Sequence, residues 1–140
     1  MTVESTGAFV DSGAFVAFLD RSDHQHAEAR ALFARPPARL TTSILVVSET
    51  YSWCLHKLGE PAARTFRELL EELPRLQILD ADAEHRRAVW KKLDALRGRK
   101  LTFVDGSALV CLKRTGITTV WGTDYDLAFE GATVIPGPPA

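Results

Sequence analysis

The chain has 140 residues, 46% hydrophobic and 25% charged, the composition of one globular domain able to bury its own core without disulfides or a structural metal. Lys and Arg number 17 against 18 Asp and Glu, a net charge of −1, so the overall charge by itself points to no polyanionic partner. The longest apolar stretches, residues 14–19 and 44–47, fall far short of the roughly 20 residues of a bilayer span, and residues 1–6 carry an acid but no basic lead into a signal core. No membrane partner is expected, and a cytoplasmic address is.

Short strand-like runs alternate with helical patterns along the chain, the mark of βαβ units around a parallel sheet, so the fold class is α/β. Residues 8–10 form a first strand ending at Asp11. Helices follow over 14–19 and from Asp23 to about 34, where Pro36 and Pro37 close the pattern. Residues 39–42 make a brief second strand. Over 43–58, Ile44, Val47, Tyr51, Cys54 and Leu58 recur at steps of three and four, a helical stripe that Gly59 can stop. Pro61 opens a helix through Leu73, residues 76–79 read as a third strand, and Asp80 or Asp82 caps a long helix through Leu96. Residues 101–104 read as a fourth strand running into Asp105, 108–114 as a helix, and 118–121 as a fifth strand. A helical turn over 124–129 precedes a last edge strand at 132–135. Cys54 and Cys111 sit singly in apolar runs and are read as reduced core residues. No repeat or linker divides the chain. Residues 1–135 are therefore read as one domain, and the Pro-rich residues 136–140 as an extended, mobile tail.

Three acids follow apolar runs directly: Asp11, Asp105 and Asp124. In an open parallel sheet such positions share the carboxyl edge, where ligands bind. Glu49 lies seven residues, about two helical turns, beyond Thr42 at the end of the second strand, and can project to the same edge. Each Asp alone is also a good helix N-cap, and Glu49 alone a solvated helix residue. Together they are harder to dismiss: two like charges about 4 Å apart repel by roughly 4 kcal/mol at an effective dielectric of 20, so four need protons or a cation. All-oxygen ligation suits Mg²⁺ or Mn²⁺, and metal-assisted phosphoryl hydrolysis is the chemistry such a site serves.

The segments Phe9-Val10-Asp11-Ser12-Gly13-Ala14-Phe15, Ser48-Glu49-Thr50, Thr102-Phe103-Val104-Asp105-Gly106-Ser107 and Thr123-Asp124, with Gly131 seven residues beyond, resemble the PIN-domain pattern, in particular that of the VapC toxins of type II toxin–antitoxin systems. The resemblance runs from about residue 7 to 135. It implies a three-layer α/β/α domain with a five-stranded parallel sheet, and a Mg²⁺- or Mn²⁺-dependent endoribonuclease acting on an RNA substrate. It also implies a homodimer held inactive by a cognate VapB-type antitoxin. Carried over, Asp11, Glu49, Asp105 and Asp124 are the metal-binding, catalytic acids, the first and third as direct ligands. The fourth motif departs from the pattern, with Gly122 and Leu127 where a Thr and an aromatic are usual, so Asp126 competes with Asp124. Ser12, Thr102 and Thr123 can orient carboxylates or waters; Ser107 is read as a helix cap.

The neutral total conceals a basic strip: Arg86, Arg87, Lys91, Lys92, Arg97, Arg99 and Lys100 against Asp94 alone, placed before Asp105 and suited to RNA phosphates. Lys57, Arg64 and Arg67 are weaker RNA contacts. Trp53 and Trp121 are base-stacking candidates, though core or partner contact fits both better, and Trp90, beside Val89 and Leu93, is read as packing. None of His24, His26, His56 and His85 is read as a ligand or base. A receiver-like domain is excluded for want of paired acids at the first strand and a Lys after the fifth; Walker and Gly-x-Ser-x-Gly motifs are absent. A binding module of the same fold without turnover is the alternative, disfavoured by the intact set of acids.

Overall fold

The computed structural model describes residues 7–139. Five parallel strands, β1 (Gly7–Val10), β2 (Arg39–Ser43), β3 (Leu76–Leu79), β4 (Thr119–Gly122) and β5 (Thr133–Pro136), lie in the order β3-β2-β1-β4-β5. The chain winds outward from β1 to β3 and then resumes on the other side of β1 with β4. The point where the order reverses, between β1 and β4, is where an open α/β sheet leaves a crevice at its carboxyl edge.

The helices are α1 (Ser12–Leu19), α2 (His26–Ala34), α3 (Ile44–Lys57), α4 (Glu60–Glu72), α5 (Ala83–Ala95) and α6 (Phe103–Thr115). α1 packs on α2, α3 and α4, and α5 packs on α6, so two helix groups flank the sheet in three layers. β1 is buried along its whole length, with Phe9 and Val10 sealed from solvent, as a central parallel strand must be. An aromatic cluster fills the layer beside it: Phe15 stacks on Phe33 at 5.6 Å and meets Phe66 edge-on at 5.1 Å, while Phe33 meets Trp121 at 5.0 Å. On the other side α6 approaches α5 closely because Gly106 has no side chain; a Cβ there would press to 2.8 Å from Leu93. Cys54 and Cys111 are buried and unpaired, as expected, and burial pushes the Cys111 thiol up to about 11.

Two expectations are corrected. Residues 101–104 are not a strand: Leu101 and Thr102 are irregular and α6 begins at Phe103, so the fifth strand of the sheet is β5. A capping box decides this, with Thr102 Oγ1 accepting from the Asp105 N–H and Asp105 Oδ2 accepting from the Thr102 N–H, both at 3.1 Å. At the other end, Pro136 closes β5 instead of opening a tail. The Gly137 N–H donates to the Gly122 carbonyl at 2.9 Å, and the Gly137 carbonyl accepts from the Gln25 side chain. Of the two possible caps before α5, Asp82 serves, its Oδ1 accepting from the His85 N–H at 2.8 Å. Among the described residues no helix is long and apolar enough to cross a membrane.

Candidate active site

β1 ends where the sheet order reverses, and its ladder with β4 extends one residue further: the Asp11 N–H donates to the Trp121 carbonyl at 2.9 Å. That bond fixes Asp11 at the mouth of the crevice. Thr42 ties the neighbouring strand to the same place, its buried hydroxyl donating to the Val10 carbonyl at 2.8 Å. α3 starts immediately after β2, capped by Ser43 Oγ accepting from the Val46 N–H at 3.1 Å, and its second turn carries Glu49 to the rim. The β4 loop brings Thr123, Asp124 and Asp126, with Asp124 Oδ1 accepting from the Asp126 N–H at 2.9 Å. Asp105 arrives on the first turn of α6, held through Oδ2 by the capping box.

These elements enclose one cleft of about 440 Å³, lined by Asp11, Ser12, Gly13, Val16, Asp23, Glu49, Trp53, Thr102, Asp105, Thr123, Asp124 and Asp126. All four predicted acids and the three supporting hydroxyl residues are there. So are both rivals for the fourth position, Asp124 and Asp126. Asp23 is an acid the sequence reading placed only at a helix start; its Oδ1 accepts from the Gln25 N–H in the turn before α2. Among the described residues, no lysine, arginine or histidine lines the cleft.

The electrostatic consequence falls on Asp11. Desolvation at the strand end, with the Ser12 N–H pulling the other way and the charges of Asp124, Asp105 and Glu49 adding to the rise, pushes its carboxyl from 3.8 up to about 7. Burial and the charges of Asp124 and Asp105 raise Asp126 as well. The carboxylates ring the cleft without converging on one point: among the described residues, no three His, Cys, Asp or Glu side chains stand close enough to hold one ion together. The expected fourfold convergence is therefore seen as a shared cleft, not as a single cluster.

None of the basic strip lines this cleft. Arg86, Arg87 and Lys91 are exposed on α5, and Arg97, Arg99 and Lys100 are exposed in the connection to α6. Arg86 donates to the Ala81 carbonyl at 2.6 Å, and Lys92 is engaged in an ion pair with Glu130 at 3.1 Å. Trp121 is core, Trp53 is half-buried in the cleft wall, and Trp90, read as packing, touches Phe103 but is 58% exposed. His85 is buried between α5 and α6, with Nε2 2.7 Å from Ser107 Oγ and Nδ1 2.9 Å from Arg114 Nη1, so Ser107 is a network partner more than a cap.

The PIN-domain family model matches residues 8–130. The 23S rRNA-specific endonuclease VapC20 of Mycobacterium tuberculosis is 27% identical over 124 residues, spanning 88% of this chain and 93% of that protein. The crystal structure of VapC20, described as a sarcin-ricin loop cleaving toxin, superposes with a TM-score of 0.83 at 24% identity, covering 90% of this chain and 96% of that one. VapBC-5 of the same organism, described as a member of the VapBC family of toxin–antitoxin systems, shares the fold with a TM-score of 0.58 at 17% identity, covering 96% and 99% of the two chains. With strand order, acid placement and a family model spanning most of its length in agreement, this chain belongs to the PIN-domain family.

Proposed function

We propose that this protein is a divalent-metal-dependent endoribonuclease, the toxin of a VapBC-type pair, hydrolysing RNA phosphodiester bonds with an activated water to leave 5′-phosphate and 3′-hydroxyl ends. One observation carries the reading: among the described residues, six carboxylates and no cationic side chain line a cleft at the switch point of the sheet, and the Asp11 carboxyl is pushed up to about 7. A cleft of that charge has no stable use for a phosphodiester unless a cation is present.

The donor set fits Mg²⁺ or Mn²⁺, being oxygen throughout. Mg²⁺ is ordinarily held by one or two carboxylates and keeps several waters, which agrees with acids that share a cleft without three of them gathering about one point. Asp11 and Asp105 would hold it directly, with Glu49 and Asp124 reached through water. When bound, the ion supplies Lewis-acid polarisation of the phosphate and a water of lowered pKa. The chain's own residues do the positioning. The Thr102 N–H pins Asp105 Oδ2, the β1–β4 ladder pins the Asp11 backbone, and the Ser12 and Thr123 hydroxyls orient carboxylates and waters between them.

The name of the relative VapC20 supports ribosomal RNA as the substrate class, and the VapBC neighbour supports a VapB-type antitoxin as partner. A homodimer is part of the same proposal. The test is incubation of the purified protein with ribosomal and transfer RNA fragments in Mg²⁺, Mn²⁺ or EDTA. Cleavage in either metal that stops in EDTA is expected. Cleavage that persists in EDTA, or none across the panel, would reject the reading.

A further inference from the structure

A tryptophan in a helix that packs on its neighbour ordinarily buries its ring, yet Trp90 of α5 is 58% exposed. What holds it is Phe103, whose ring centroid lies 4.8 Å away at a 59° tilt, a contact that steadies the indole without covering it. Phe103 is the first residue of α6 and follows Thr102; two residues later comes Asp105, and both Thr102 and Asp105 line the acid cleft. The residue that braces the indole is thus flanked in sequence by two residues of the cleft. Arg86 and Arg87, four and three residues before it, share its helix face, and Lys91 follows it; all three are exposed.

Single exposed apolar residues are common on protein surfaces, so exposure alone says little. The combination says more. Every nucleobase has a π-face that an aromatic ring can stack upon, and cations beside the ring can hold the flanking phosphates. Only an unpaired base can offer that face, because a base within a helix is already stacked on its neighbours. We infer that Trp90, braced by Phe103 and flanked by Arg86, Arg87 and Lys91, is a stacking platform for an unpaired base of the RNA whose backbone enters the acid cleft. Trp53 and Trp121 are poorer platforms, the first half-buried in the cleft wall and the second 3% exposed. The inference rests on the ribonuclease reading for what happens in the cleft. Its own content is where the strand is held.

The test separates the two. Binding of a fluorescently labelled single-stranded RNA, and of the same strand annealed to its complement, is measured in EDTA with the full chain carrying Trp90→Ala or Trp90→Phe. Trp90→Ala is expected to weaken single-strand binding by about 5- to 150-fold, the range of one lost base–aromatic stack, with little effect on the duplex. Trp90→Phe keeps a ring and should recover most of the loss. In metal, Trp90→Ala should raise KM and leave kcat near the parent value. Single-strand binding unchanged by Trp90→Ala, weakening that is equal on strand and duplex, or no RNA binding by the parent protein would each overturn the inference. Loss of single-strand binding in Trp90→Ala with no cleavage by the parent protein would instead sustain the platform and reject the nuclease.

Discussion

Gly13 and Thr123 touch across the switch point: a Cβ built on Gly13 would collide with the Thr123 hydroxyl and come within 3.3 Å of the Thr123 backbone nitrogen. The turn that follows Asp11 and the loop that presents Asp124 are thus held at a separation only glycine permits. Gly13→Ala should push the two walls of the cleft apart. A stability loss of about 1–3 kcal/mol is expected from the overpacking, with RNA cleavage reduced at least tenfold. Thr123→Ala in the same chain removes the hydroxyl collision and leaves only the tight backbone contact, so the double variant should regain most of the lost stability measured by urea unfolding. It should not regain full activity, because the Thr123 hydroxyl is gone.

Asp11 gives the protein a definite response to pH in the absence of divalent metal. Its folded pKa is about 7 against an ordinary 3.8, so between those values the native state holds a proton that the unfolded chain releases. Stability from this group is therefore present in acid and is lost as pH rises toward 7. Asp11→Asn cannot ionise and escapes the loss. In EDTA, its advantage over the parent should be near zero at about pH 4 and grow to at most about 4 kcal/mol above pH 7, as three pKa units imply. Urea unfolding across that window reads the difference, and an advantage that does not change with pH would contradict it.

His85 works in the opposite sense. Burial, and then the Arg114 charge, hold its pKa below the ordinary 6.5, so the ring is neutral in the fold. Arginine can only donate, so Nδ1 accepts from Arg114 and Nε2–H donates to Ser107 Oγ. The stability this network contributes is complete above about pH 6.5 and is lost as pH falls through the lower folded pKa. His85→Phe should cost about 1–3 kcal/mol at neutral pH, and less in acid as the parent weakens. Thermal unfolding at several pH values checks this; a cost that grows in acid would show that the ring is charged in the fold.

Much of the site was legible because its determinants are local. The run Phe9-Val10-Asp11 reads as a strand with an acid at its end, and the stripe from Ile44 to Leu58 makes a helix whose second turn carries Glu49, about two turns beyond Thr42. Asp105 was placed correctly for the wrong reason. The segment Leu101-Thr102-Phe103-Val104 has strand-like composition, but Thr102 and Asp105 stand three apart and form a capping box, which wins where no neighbouring strand offers a ladder. What the sequence left hidden depends on distant partners. Asp23 joins the cleft from a turn before α2, and the two partners of His85 come from 22 and 29 residues downstream. Trp90 reads as packing beside the apolar Val89 and Leu93, but those two face Gly106 while the indole meets Phe103 and stays exposed.

The basic strip is not uniform, and the difference is measurable. Lys92 already neutralises Glu130 at 3.1 Å, whereas Arg87 and Lys91 stand exposed beside Trp90. Each phosphate contact removed should lower the slope of log affinity against log salt by about 0.7 for single-stranded RNA. Arg87→Ala and Lys91→Ala should each show that change in a salt titration of RNA binding, and Lys92→Ala should show almost none. An equal effect from all three would mean the strip acts only through its summed charge.

The central claim is that the carboxylates gathered at the β1–β4 switch point cut RNA with the help of a divalent ion. Single-turnover cleavage of a ribosomal RNA fragment in Mg²⁺ by the parent protein and by Asp105→Asn tests it most directly, with circular dichroism confirming that the variant is folded. The asparagine keeps an oxygen for the capping box but removes the charge. The account predicts a loss of at least a hundredfold in rate with the fold intact, of the order expected when a group essential to electrostatic catalysis is removed. A folded Asp105→Asn protein that cuts at the parent rate would contradict it.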